Sequence, residues 1–260
     1  WDACESGDLH TEVCKMVWTN RDWPADAGEA KRMAEMPFYR HFSYRDMAKR
    51  GGHGTNYYGQ PPAIARNLHI DRKMVEMFQQ AYFSAFPGIP QWHHWVIRQI
   101  ETKGSLTTPT GRFRTFLSRR TDPATHRSAI AHGPQSMVGD ILNTALWNVW
   151  HLSRCLIRAC PHRPPIRVLG QVHDAIVLQY LASDEAALLA QVVARMSVPL
   201  TIRGRVLSIP CDVAVGWNWA KADPKRKNFP DGNPHGLVKY KGVPDARRAP
   251  TQACLVDSRL

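Results

Sequence analysis

The stretch Ile166-Arg167-Val168-Leu169-Gly170-Gln171-Val172-His173-Asp174-Ala175-Ile176-Val177-Leu178-Gln179-Tyr180 holds two apolar runs, Ile166 to Val172 and Ala175 to Tyr180, with His173-Asp174 between them. Strand-like runs separated by a short polar turn read as a hairpin. That turn fixes one carboxylate, Asp174, at a sheet edge. A rigid carboxylate suits Mg²⁺, which takes oxygen ligands in near-octahedral geometry and is held by one or two carboxylates plus substrate phosphates. Asp is also an ordinary turn former. The stretch alone leaves both readings open.

Upstream, Arg45, Lys49, His53 and Tyr57 recur every four residues. On an α-helix each such step turns about 40° past a full revolution, so the four fan across one face. Arg can bind two oxygens of a triphosphate at once, and Lys acts as a point charge. An aromatic ring can carry a base or sugar by stacking. Ser43 with Asp46 approximates a capping box, which predicts a helix from Tyr44. That segment soon meets Gly51, Gly52 and Gly54, each costing about 1 kcal/mol against Ala in a helix. Local propensity therefore predicts a loop there, of a kind that can cradle phosphate. A solvated charged face is the plain alternative. The same choice applies to Arg127, Gln135 and Asp140, a polar ridge on a predicted long helix.

The rest of the chain is organised around these segments. Residues 10–19 and 25–36 read as short helices. Asp71 caps a helix whose Met74, Met77, Phe78 and Tyr82 form a core stripe. Pro87-Gly88 ends it, and a helix from Pro90 to Thr102 follows. Gly104 to Phe116 alternates around Thr110-Gly111 and predicts a hairpin. Residues 127–153 form one helix with Ile141, Leu142, Ala145, Leu146 and Val149 on its buried side. Residues 184–198 form an Ala/Leu-rich helix, and Val206 to Val215 a strand. Residues 220–260 hold nine Lys/Arg against four Asp/Glu, a net of +5, and read as a disordered or loosely attached basic tail.

At 260 residues and 43% hydrophobic composition the chain can bury a real core. There is no apolar run of transmembrane length, so a soluble protein without a membrane partner is expected. The net charge of +12 favours polyanions, nucleic acid above all. Cysteines at 4, 14, 155, 160, 211 and 254 form no CxxC pair. Cys155, Cys160 and His162 raise a metal site, but their spacing fits zinc poorly, and reduced, mostly buried thiols are expected.

Taken in order, these segments resemble family A (DNA polymerase I-like) DNA polymerases. Arg45-x3-Lys49-x7-Tyr57 resembles motif B on the mobile fingers helix, and Gln171-Val172-His173-Asp174 resembles motif C of the palm. Arg127-Ser-Ala-Ile-x4-Gln135-x4-Asp140 is similar to the palm helix that contacts template and primer. Thr108-Pro-Thr-Gly111-Arg112-x-Arg114 matches the TxxGRxR hairpin. Val215-Gly216-Trp217-Asn218-Trp219 looks like the closing GxNW strand, and Gly7-Asp8-Leu9-His10-Thr11 like the segment just after motif A. His53 in this setting suggests a phage-type member. Ala175, Ala131, Tyr58 and the glycines of motif B depart from the common pattern.

The resemblance implies an α+β fold: a palm with an antiparallel sheet and a helical fingers subdomain, part of the right-hand polymerase architecture. It implies an entry helix at 1–24, fingers at 25–103, C-terminal palm at 104–219 and the tail at 220–260. It implies primer-template DNA and dNTPs as partners, in the cytoplasm of a bacterial or phage-infected cell. Asp174 would ligate two Mg²⁺ ions, and Arg45 and Lys49 would hold the triphosphate, with Lys49 catalytic. His53 would lie against the sugar and Tyr57 near the nascent pair. Arg112, Arg114, Arg127, Gln135 and His173 would contact DNA. Motif A, with the second metal-binding carboxylate, would precede Trp1, so the chain alone is expected not to extend primers. A non-catalytic nucleic-acid-binding remnant and a single-subunit RNA polymerase are the alternatives. The GRxR hairpin, the QVHD form of motif C and the GWNW ending favour DNA polymerase over the latter.

Overall fold

The computed structural model describes residues 8–223 and 232–242. The chain divides into two units, Trp1–Ser136 and Met137–Leu260. Gly7, Cys4, Cys254 and residues 224–231 and 243–260 of the basic tail lie outside the described residues.

In the first unit, helix α1 (Leu9–Val17) starts at Asp8, whose side chain caps Thr11 N. Helix α2 (Ala27–Ala34) starts at Asp26, which caps Glu29 N. A short hairpin, β1 (Pro37–Tyr39) and β2 (Phe42–Ser43), leads into the segment that carries Arg45 and Lys49. There the Ser43 side chain accepts from Asp46 N while the Asp46 side chain accepts from Ser43 N, a reciprocal box worth about 1 kcal/mol. Helix α3 (Tyr44–Asp46) passes into a π turn at Met47–Gly51 and then α4 (Gly52–Asn56). The loop expected from the glycines is therefore a continuous helical segment. Packing overrides the roughly 1 kcal/mol penalty of each glycine. A side chain at Gly51 would meet Met47 Cε at 2.7 Å and Phe78 at 3.1 Å, so glycine is what lets this helix lie close to its neighbour.

That neighbour is helix α6 (Arg72–Ala85), which follows α5 (Pro61–Leu68). Its Val75, Phe78 and Tyr82 join Val13, Cys14, Phe42, Met47 and Ile64 in one apolar core. Met77 points the other way and is 57% exposed, so the stripe centres on Val75-Phe78-Tyr82 rather than on the methionines. Asp71 precedes the helix without a side-chain cap; it accepts a hydrogen bond from the Tyr39 hydroxyl instead. Helix α7 (Gly88–Lys103) and hairpin β3 (Ser105–Thr107)/β4 (Phe113–Thr115) pack with Ala129 and Ile130 in a second cluster built on Val96, Ile100, Leu106 and Phe116.

The long helix α8 (Pro123–Ala159) contains the boundary between the units and carries Pro134 in its interior. In the second unit its Val149 and Leu152 pack with Ile166 and with Val192 of helix α9 (Glu185–Met196). Strands β5 (Ile166–Val172) and β6 (Ala175–Tyr180) pair antiparallel, as the sequence predicts, with Val172 opposite Ala175. The pairing shifts between Val168 and Gly170, which leaves Leu169 as the extra residue of a bulge. The strand expected over Val206 to Val215 is instead split. Strands β7 (Pro199–Ile202) and β8 (Arg205–Ser208) form a hairpin, turning on Arg203 and Gly204, both at positive φ. Farther on, β9 (Ala214–Val215) pairs with β10 (Val238–Lys239), so part of 220–260 is tied into a small sheet. Mixed helices with small antiparallel sheets match the expected α+β class. Among the described residues no helix is long and apolar enough to cross a membrane.

Candidate polymerase site

Arg45, Lys49, His53 and Tyr57 lie on the α3–π–α4 segment of the first unit. Arg45 is half-buried, and its Nη2 donates to Asp8 Oδ1 at 2.9 Å. Its Nε is buried with no hydrogen-bond partner among the described residues. Burial pushes the Asp8 carboxyl up, but hydrogen bonds from Arg45 and Thr11 and the Arg45 charge together hold it below its ordinary value. Lys49 and His53 are exposed, and the His53 and Tyr57 rings meet at 4.7 Å.

Lys49 and His53 border a cavity of about 780 Å³ that is also lined by His10, Asn56, Tyr82 and Phe86. Burial, then the Arg45 and Lys49 charges, lower the His10 pKa. The cavity wall thus places the Lys49 and Arg50 cations near the His10 imidazole.

A buried polar set holds the helix in place from below. Thr55 Oγ1 donates to Gly51 O at 2.8 Å across the π turn. Gln79 Nε2 donates to Thr55 Oγ1 and Gly59 O at 3.1 and 2.9 Å. Tyr82 OH donates to Asn56 Oδ1 at 3.1 Å, and His93 Nε2 lies 2.8 Å from Asn56 O. Asp8, His10, Gln79 and His93 were not singled out from the sequence as site residues. For Asp8 and His10 the signal was their place in the segment resembling the one after motif A. For Gln79 and His93 no local signal exists, because their partners lie 24 and 37 residues away.

His93 sets a pH dependence. Burial is the main cause that lowers its pKa below 6.5; the Asn56 hydrogen bond opposes this and His94 adds to it. An unfolded histidine takes its proton at about 6.5 while folded His93 resists. Stability is therefore complete above that value and declines as pH falls below it. His10 shares the sign. Thermal melts should give a lower Tm at pH 5.5 than at 7.5, with a smaller difference in His93→Gln. A flat profile across this window would contradict the assignment.

Arg112 and Arg114 sit on the β3/β4 hairpin. Thr108 stitches its turn, receiving bonds from Gly111 N and Arg112 N and donating its own N–H to Arg112 O. Gly111 has φ +86°, so only glycine fits the turn without strain. Arg114 lies over the Phe116 ring at 4.7 Å and reaches Ser128 Oγ at 3.4 Å. Arg127, next to Ser128 in sequence, is exposed on α8, and Gln135 is exposed two turns farther along.

In the second unit His173 and Asp174 form the tip of the β5/β6 hairpin, and both are exposed. His173 has φ +54°, left-handed backbone that a side chain adopts at some cost. Asp174 has no hydrogen-bond or ion-pair partner among the described residues, so its oxygens are open to a cation. No group of three or more His, Cys, Asp or Glu gathers as a metal site among the described residues. Cys155 and Cys160 are exposed rather than buried; Cys14 is buried, and burial pushes its thiol up to about 12.

The family model for DNA polymerase family A matches residues 30–221, and the chain belongs to that family. It is 27% identical over 183 residues to DNA polymerase I of Geobacillus stearothermophilus, covering 68% of this chain and 20% of that protein. It is 26% identical over 227 residues to the thermostable DNA polymerase I of Thermus filiformis, covering 84% and 24%. The chain thus spans about a fifth to a quarter of these relatives' length. Among solved structures it resembles the POL domain of Pol1 from M. smegmatis in complex with DNA primer-template and dNTP. That likeness has a TM-score of 0.59 at 22% identity and covers 75% of this chain and 32% of that one. It supports a partial polymerase fold.

Proposed function

We propose that this chain carries the nucleotide-holding helix and one metal-binding carboxylate of template-directed DNA synthesis, in which a primer 3′-hydroxyl attacks the α-phosphorus of a dNTP and pyrophosphate leaves. The observation that supports this most is the Arg45–Lys49–His53–Tyr57 helix beside a cavity of about 780 Å³. Arg45 Nε, a buried donor without a partner among the described residues, would take a phosphate oxygen. The triphosphate would share Arg45 with Asp8, and Lys49 would neutralise charge developing on the leaving group. His53 would face the sugar and Tyr57 the nascent pair. Arg112, Arg114, Arg127, Gln135 and His173 would hold primer and template. In this reading 25–103 are fingers and 104–219 are palm.

Asp174 fits Mg²⁺: it is an exposed oxygen donor at a turn fixed by strand pairing, the hard ligand this ion takes. A bound pair of such ions would activate the primer hydroxyl and stabilise the departing pyrophosphate. Among the described residues no group of three or more His, Cys, Asp or Glu includes Asp174, and in this reading a second carboxylate would join it.

Primer extension with Mg²⁺ and dNTPs tests the reading, in this chain joined to the polymerase segments its longer relatives carry. Lys49→Ala should lower kcat/KM for dNTP by about 10²–10³-fold, the effect of removing one preorganised charge partner. DNA affinity should change less than about two-fold. An unchanged kcat/KM would remove Lys49 from the mechanism.

A further inference from the structure

The second unit bears an exposed stripe that the polymerase reading does not use. On helix α8, Trp147, Trp150, His151, Arg154 and Arg158 share the side opposite the buried Ala145, Val149 and Leu152. Positions three, four, seven and eleven residues apart fall on one helical face. Trp147 is 59% and Trp150 43% exposed, a large indole area to leave in water. Their rings stack at 5.5 Å with 20° between planes. His151 stands edge-on to both, at 4.3 and 5.1 Å. The Arg154 guanidinium lies 5.8 Å from the Trp150 ring.

The charge on this face is one-sided. From Ile141 to Ala159 the helix contains no Asp or Glu, while Arg154 and Arg158 extend the indole stack by two cationic turns. Neither arginine has a carboxylate partner among the described residues. Indole and guanidinium groups also anchor protein interfaces, so a protein is the competing occupant, and dT20 binding decides between them. Here the anchors are indoles followed by cations. Flat π faces next to guanidinium groups match a partner that carries both open rings and negative charge.

We infer that this stripe is a binding surface for single-stranded nucleic acid, with unpaired bases stacking on the Trp147–Trp150 pair and the backbone phosphates meeting Arg154 and Arg158. A duplex would be a poor occupant, because its base faces are already covered by neighbouring pairs. The surface is distinct from the duplex-contacting residues proposed above, none of which lies on this stripe.

The test measures anisotropy of labelled dT20, and separately of a blunt 20-base-pair duplex, with the complete 260-residue chain. The double variant Trp147→Ala/Trp150→Ala should lose at least about five-fold in dT20 affinity, the low end for one base–indole stack. Its duplex affinity should stay within two-fold. Arg154→Gln/Arg158→Gln should flatten the salt dependence of dT20 binding by about 1.4 in log–log slope, two phosphates' worth for a single strand. Indole emission should be quenched by dT20 in the unsubstituted protein and not in the Trp variant. These side chains are exposed, so melting temperatures should be nearly unchanged, which separates lost binding from lost folding. Unchanged dT20 affinity in both variants would overturn the inference. So would Trp variants that abolish self-association or binding to anionic vesicles while dT20 affinity stays intact.

Discussion

Replacing Asp174 by Ala should reduce primer extension by about a thousand-fold or more, roughly 4 kcal/mol of transition-state stabilisation. The position makes this a clean test. Asp174 is exposed and has no hydrogen-bond or ion-pair partner among the described residues, so folding should not depend on its carboxylate. Substitutions at such surface sites usually shift stability by less than about 0.5 kcal/mol. The hairpin is held by strand pairing up to Val172 opposite Ala175, which the substitution leaves in place. Asp174→Asn should be nearly as inactive, because an amide keeps the shape but loses the charge a divalent cation needs. Primer-template affinity should remain within about two-fold. Extension at a tenth or more of the original rate would show that the metal is held elsewhere.

The second large effect is structural. Phe78→Ala should destabilise the first unit by about 3–5 kcal/mol, the cost of deleting a fully buried aromatic ring. Against a typical domain stability of about 5–15 kcal/mol, that is a large share. Phe78 is 2% exposed and packs against Trp18 and Tyr82 at ring distances of 5.8 and 5.4 Å. It also lies under the π turn, 3.1 Å from where a side chain at Gly51 would begin. Its loss would loosen the floor beneath Lys49. The adjacent Met77→Ala should cost less than about 0.5 kcal/mol, since Met77 is largely in water. Urea denaturation of both variants decides the matter. Similar midpoints would mean that the packing face of this helix is assigned wrongly.

That contrast shows where the sequence was legible and where it was not. Met74, Met77, Phe78 and Tyr82 share helical spacing, but spacing alone does not say which side of a two-sided stripe faces inward. The Ile166–Tyr180 hairpin was readable to the residue because apolar strand runs and a two-residue turn are local signals. So was the Ser43–Asp46 box. The motif B glycines misled because glycine's helix penalty is local, while the contacts that outweigh it come from Phe78, Gln79 and Tyr82, distant in sequence. The predicted Val206–Val215 strand breaks after Ser208, in a stretch holding Pro210, which has no N–H to give a strand ladder. The Asp8–Arg45 pair spans 37 residues and has no local pattern at all.

The π turn at Met47–Gly51 also makes the winding of this segment a determinant, apart from its composition. In an unbroken α-helix, residues spaced by four drift about 40° per step, so Arg45 and Tyr57 would diverge by about 120°. A wider turn absorbs part of that drift and keeps the four side chains in a narrower arc. Rewinding Met47–Gly51 as regular α-helix at unchanged length would swing His53 and Tyr57 around the axis relative to Arg45. All four side chains proposed to hold the nucleotide would still be present, yet they would no longer be in phase.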